Sequence, residues 1–129
     1  MIRIALPLLL LATAGTGAAT ERRAPSSQEA RLQRALSGLQ PGAPQRCLRR
    51  DRAGEMRGFK DEILFVGGRS KVYRNRTVGS CGGLARGDII VTRTFGGDYC
   101  AGDFVETRAR TGGFVTGTCS LGEFVPYTK

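Results

Sequence analysis

The chain has 129 residues, with 20 Lys or Arg against 11 Asp or Glu, four cysteines, no histidine and no tryptophan, and a net charge of +9. Without histidine it lacks the commonest general base, the Ser-His and Cys-His nucleophile systems and most zinc sites. The absence of tryptophan also weakens any reading as a sugar-stacking platform, and the length suits one modest domain.

Residues 1–19 read as a secretory signal peptide: one positive charge at Arg3, an apolar block Ile4 to Ala12, then small residues with cleavage expected near Ala18 or Ala19. The apolar block is far shorter than the roughly 20 residues of a spanning helix, so no transmembrane segment is expected after cleavage. Residues 20–25 form a polar tether. An amphipathic helix is expected over 26–40, with Ser26 as N-cap, Glu29 completing a capping box, and Leu32, Leu36 and Leu39 on one face.

From residue 45 to 129 the pattern is that of a disulfide-stabilised β domain. Cys47-Leu48 begins a short strand, and Glu62-Ile-Leu-Phe-Val66 is a continuous apolar run that predicts a central strand covered on both faces. In Lys71 to Arg76 the period of two puts Val72, Arg74 and Arg76 on one face and Lys71, Tyr73 and Asn75 on the other. Asn75-Arg-Thr77 matches a glycosylation acceptor, a short pattern of little specificity. Gly79 to Gly87 is a glycine-rich loop followed by a strand, not by the helix a phosphate cradle requires. The later strands are expected over 88–95, 104–110, 114–119 and 123–127, with turns at Gly96-Gly97-Asp98 and Thr111-Gly112-Gly113. The fold class expected is mainly β: a small antiparallel barrel or sandwich of five to seven short strands with one N-terminal helix.

Export implies an oxidising compartment, so Cys47, Cys81, Cys100 and Cys119 are expected to form two disulfides. Three pairings are possible. The favoured one joins Cys81 to Cys100, closing a hairpin-sized unit, and Cys47 to Cys119, tying the first strand to the last. With no C-x-x-C pair and no histidine, neither a metal nor a cofactor is expected.

Between Arg46 and Arg76 basic residues outnumber acids by more than two to one, whereas from Thr77 onward the two balance. Arg49, Arg50, Arg57, Lys60, Arg69, Lys71, Arg74 and Arg76 are therefore the candidate anion-binding residues, although a charge run is also how a solvated surface reads. Basic and aromatic residues do not interleave, so no nucleic acid is expected. Asp88, Asp98, Asp103 and Glu106 are the carboxylates an enzyme would have to use. Asp103, in Cys100-Ala-Gly-Asp103, is expected to hydrogen-bond turn backbone, with ligand contact as the alternative.

The helix ending in Gly38-Leu-Gln-Pro-Gly42, Cys47, Tyr73 and Asn75, Cys81-Gly-Gly-Leu84, Cys100-Ala-Gly-Asp103, and Cys119 followed by Phe124-Val-Pro-Tyr127 together resemble a family of small exported proteobacterial proteins of unknown function. The likeness runs from about Arg31 to Lys129. It implies a periplasmic or secreted setting and a stand-alone domain, and brings no activity, cofactor or catalytic residue. The function expected is a non-enzymatic binding domain for an anionic envelope polymer or an acidic protein. The rivals are an inhibitor or assembly factor that plugs a partner's groove with loops near Cys81 and Gly96-Gly97, and a carboxylate enzyme.

Overall fold

The computed structural model describes residues 26–68 and 70–129, together with Gly15, Gly17 and Ala18. The signal-peptide and tether readings, and Arg69, lie outside the described residues. One helix, α1 (Ser27–Leu36), precedes ten strands: β1 (Gln40–Pro41), β2 (Cys47–Leu48), β3 (Glu55–Phe59), β4 (Glu62–Val66), β5 (Lys71–Arg76), β6 (Ile89–Arg93), β7 (Tyr99–Cys100), β8 (Phe104–Arg108), β9 (Val115–Ser120) and β10 (Phe124–Thr128). Seven have five or six residues; β1, β2 and β7 are two-residue ladders, of which β2 is the short strand expected at Cys47-Leu48 and the other two are too short for any periodicity to announce. The strands form three antiparallel sheets, ordered β1-β10-β5-β4-β3, β6-β8-β9 and β2-β7, a sandwich-like arrangement that does not close into a barrel.

The helix starts as its sequence dictates. The Ser26 side chain accepts from the Glu29 N–H at 3.2 Å, and Glu29 accepts from the Ser26 N–H at 2.8 Å. It is shorter than the expected 26–40, ending at Leu36, with Gly38 in the left-handed region at φ 76°. Leu32, Ala35, Leu36 and Leu39 pack on Phe59, Leu64, Val72 and Tyr127, the outer face of the large sheet. Its inner face carries Ile63, Phe65, Tyr73 and Phe124 into the main core with Leu48, Leu84, Val105 and Leu121. Alternation along β4 thus feeds both clusters, and the strand is covered on both sides as expected, although the middle of the five is β5 and β4 lies between it and the edge strand β3.

The Thr111-Gly112-Gly113 turn closes the β8–β9 hairpin as its chemistry predicts, with φ of 84° and 66° at the two glycines. The Gly96-Gly97 turn does not close a hairpin. Strand β6 pairs with β8, while β7 leaves to pair with β2. The reason is Cys100, which stands in register opposite Cys47, so the favoured cysteine pairing is corrected to Cys47–Cys100 and Cys81–Cys119. The expected pairing assumed that sequence-adjacent cysteines bridge a hairpin. Cys81 instead lies under β9, where Cys119 points inward beside Val105. Gly117 permits this approach, since a Cβ there would overlap the Gly82 nitrogen and the Cys81 backbone.

Asn75 is fully buried. Its Nδ2 donates to the Gly122 carbonyl at 2.8 Å, and its Oδ1 accepts from the Gly122 N–H at 2.9 Å, bracing the β9–β10 turn. The glycosylation match is therefore sterically closed in the folded chain. Replacing Asn75 by Ala should cost about 1–3 kcal/mol, because two backbone groups of the turn lose their partner; urea unfolding of the oxidised protein measures it. Cys47 is exposed while Cys81 and Cys119 are buried. Thiol reductant should therefore open Cys47–Cys100 well before Cys81–Cys119, a sequence readable by differential alkylation and peptide mass spectrometry.

Candidate functional site

The outer face of the large sheet is only partly covered by α1. Beside the helix, the register places Glu62 opposite Arg76, and Leu64 opposite Arg74, so the two arginines project on one face as their spacing requires. Glu62 is buried and serves both. Arg74 donates to its carboxylate through Nη2 at 2.6 Å and through Nε at 3.1 and 3.2 Å, and reaches the Tyr127 hydroxyl through Nη1 at 3.3 Å. Arg76 donates through Nε at 3.0 Å. Burial opposes the charge on Arg74, but its bonds to Glu62 and Tyr127 outweigh that and hold the guanidinium above the usual arginine range.

The two arginines differ in what they leave available. The Arg74 side chain is 21% exposed and occupied, whereas that of Arg76 is 74% exposed and held by Nε alone. Depressions meet at this pair from either side. One, of about 730 Å³, runs beneath the start of α1 and along the β3–β4 turn, past Leu32, Lys60 and Asp61. The other, of about 400 Å³, runs past Pro44, Val78, Val125 and Tyr127. Together they make a groove crossing the sheet with Arg76 at its middle. Lys60 has no ion-pair partner among the described residues. Asp61 is engaged by the fold: its backbone takes the left-handed conformation, its carbonyl accepts from Thr77, and its carboxylate accepts from Ser80 at 2.8 Å.

The remaining candidates do not join this face. Arg57 lies on the same sheet surface but is separated by Leu64 and bonded to Glu55 at 3.2 Å; that hydrogen bond and the attraction of the charges raise Arg57 and lower Glu55 from their ordinary ranges. Lys71, on the opposite face of β5, lies over the Tyr73 ring at 5.8 Å. Arg49 pairs with Asp51 at 2.7 Å, and Arg50 lies over Tyr99 at 5.2 Å, both beside the short turn Arg50–Arg52 at the far end of the sandwich. The candidate anion-binding residues therefore do not form one face: Arg74, Arg76 and Lys60 lie at one end of the sandwich, and Arg49 and Arg50 at the other. The register and the turn between β2 and β3 decide this, and neither is visible in a charge count.

Asp103 is buried and its carboxylate accepts from the Cys100 N–H at 2.8 Å, the turn-bracing role expected of it. Glu106 is paired with Arg108 at 2.5 Å on the outer face of the β6-β8-β9 sheet. Asp88 bonds Thr116 and, less strongly, Arg86, which hold its carboxyl below the usual range against the opposing effect of burial. Among the described residues no group of three or more Cys, Asp or Glu gathers as a metal site would require. Sequence reasoning overlooked Glu62, the residue that organises the groove, because inside an apolar run it reads as the edge of a strand. Its one signal was the two-residue spacing of Arg74 and Arg76 on a neighbouring strand.

No protein-family model, curated protein or solved structure matches the chain. The class that the structure itself defines is a small, mainly β domain braced by two disulfides, a construction typical of proteins outside the cytoplasm.

Replacing Glu62 by Ala strands two guanidiniums, one of them largely buried. Stability should fall by about 1–3 kcal/mol, measured by thermal or urea unfolding, with Glu62→Gln recovering part of it through a neutral acceptor.

Proposed function

We propose that this is an exported, non-enzymatic binding domain of the periplasm or extracellular space, which takes an anionic group of an envelope polymer into the groove at Arg76. The observation that carries the reading is the asymmetry of the arginine pair. Glu62 and Tyr127 occupy Arg74 and fix its neighbour, while the Arg76 fork stands open to solvent with Lys60 across the same depression. A guanidinium held by Nε presents its two terminal nitrogens in a plane, the geometry that suits carboxylate or phosphate oxygens. A pre-positioned fork loses less side-chain entropy on binding than a free one. The resemblance to small exported proteobacterial proteins supports the same setting and assigns no reaction against it.

The rival reading is an inhibitor or assembly factor acting through loops near Cys81 and Gly96-Gly97. Cys81 and Leu84 are buried in the core, which favours the groove over the Cys81-Leu84 segment as a contact surface. Asp88, Asp103 and Glu106 are each engaged in separate contacts rather than facing one another, which favours the binding reading over the paired carboxylates of a glycosidase-like mechanism.

Binding to an acidic polysaccharide, followed by isothermal titration, tests the proposal. Arg76→Ala should weaken it about tenfold and Lys60→Ala several-fold, with both effects collapsing at about 0.5 M salt, where the Debye length is near 4 Å. Arg57→Ala should change little. Equal losses for all three variants would indicate a diffuse surface field and overturn the groove.

A further inference from the structure

Six large apolar side chains stand exposed among the described residues: the register places Val78, Ile89, Phe104 and Val115 on the outer face of the β6-β8-β9 sheet, and Phe95 and Phe114 lie in the loops that follow β6 and precede β9. The opposite sheet has its helix; this one has no covering element among the described residues. Half of the group gathers at one end. Val78 is bridged to Ser120, Ser120 is in register with Phe104, and Phe104 with Arg93, so these side chains share one row of the face. Two residues beyond Arg93, Phe95 is 94% exposed at the start of the Gly96-Gly97 loop.

The same end carries the second basic region. Arg50 Nη2 donates to the Thr94 hydroxyl at 3.1 Å, which draws the Arg49–Arg52 turn to the base of the Phe95 loop across 44 residues of sequence. Arg50 is thus held at the base of the loop with Arg49 and Arg52 in the same turn, and Arg93 lies two residues before the phenylalanine; all four are exposed, and Asp51 is paired with Arg49. Phe95 lines neither depression of the Arg76 groove; it protrudes. An apolar tip projecting from a cationic rim matches the layering of a bilayer surface, where anionic headgroups lie outside the acyl boundary.

We propose that this end of the domain docks on an anionic lipid bilayer, with Phe95 inserted at the headgroup boundary and the surrounding arginines on lipid phosphates. Phe95, Arg50 and Arg93 line neither depression of the Arg76 groove, which only Val78 of the apolar group borders, so the two functions are separable by substitution at the tip. Docking by one phenylalanine and a few arginines is weak and reversible. It would hold the domain at a membrane surface while leaving the groove free for a polymer.

The chain has no tryptophan, so Phe95→Trp creates a single fluorescent reporter at the tip. With vesicles containing roughly one third phosphatidylglycerol, its emission should shift to the blue, and with pure phosphatidylcholine it should not. In sedimentation with the same anionic vesicles, the oxidised protein recovered from the periplasm of an expression host should pellet. Phe95→Ser should reduce that by about tenfold, Arg93→Gln should reduce it less, and Arg57→Ala, at a residue already paired with Glu55, should leave it unchanged. Every variant carries the same N-terminus, so any contribution from that segment cancels. Phe95 is exposed, and unchanged thermal unfolding of Phe95→Ser separates a docking defect from a folding one. Emission of the Phe95→Trp variant unmoved by anionic vesicles, or sedimentation indifferent to Phe95→Ser, overturns the proposal. Loss of both vesicle responses, with Phe95→Ser abolishing capture of a protein, reassigns the tip to protein docking.

Discussion

The surface of this domain depends on where Phe65 packs. Its ring lies 5.6 Å from Tyr99 and 5.3 Å from Phe124, edge-on to the latter, so one side chain of β4 joins the ladder β2-β7 and strand β10 to the centre of the large sheet. Tyr99 in turn has Arg50 over its other side, and Arg50 holds Thr94. A path of direct contacts thus runs from the buried core to the exposed Phe95 loop. Aromatic pairs of this kind contribute roughly 0.5–1.5 kcal/mol beyond the area they bury; here they also fix position. The Cys47–Cys100 bridge closes the same ladder covalently, which matters because two residues of pairing are too few to hold a strand alone.

Strand β4 works in both directions. Ile63 and Phe65 enter the main core, Leu64 lies beneath α1, and Glu62 ends the strand at the margin of the helix, where a buried carboxylate meets two arginines. A buried acid with one cation would neutralise it and present nothing. With two cations on one acid, the cluster carries excess positive charge, and the fold orients the surplus outward through Arg76. The ion pairs at the other basic residues, Arg49–Asp51 and Arg57–Glu55, are exposed on both sides and contribute little to stability. Position, not number, separates the arginines that hold the fold from those open to a partner.

The two faces of the sandwich are treated differently. One is covered by a ten-residue helix whose leucine stripe matches the apolar patch beneath it; the other keeps its apolar residues in solvent around a Glu106–Arg108 pair. A domain of this size has little apolar surface to spare, and among the described residues the exposed large side chains gather on this sheet and its flanking loops, where a partner surface can cover them.

Local chemistry was legible in the chain. The capping box at Ser26 and Glu29, the positive-φ glycines of the 111–113 turn, the two-sided burial of β4, the alternation that sends Arg74 and Arg76 one way and Tyr73 and Asn75 the other, and the turn-bracing role of Asp103 all follow from residues within a few positions of each other. Composition was enough for the mainly β class and for two disulfides. Which cysteine meets which was decided only by the tertiary structure, because β7 leaves the meander to pair with β2 and carries Cys100 to Cys47. The same is true of Glu62 beneath its two arginines and of Arg50 beside Thr94. These contacts join residues 12 to 53 positions apart, across strands whose pairing depends on the whole core closing at once. Short-range propensity and spacing constrain neighbours along the chain; partners in space are chosen by burial, which is a property of the assembled sheets.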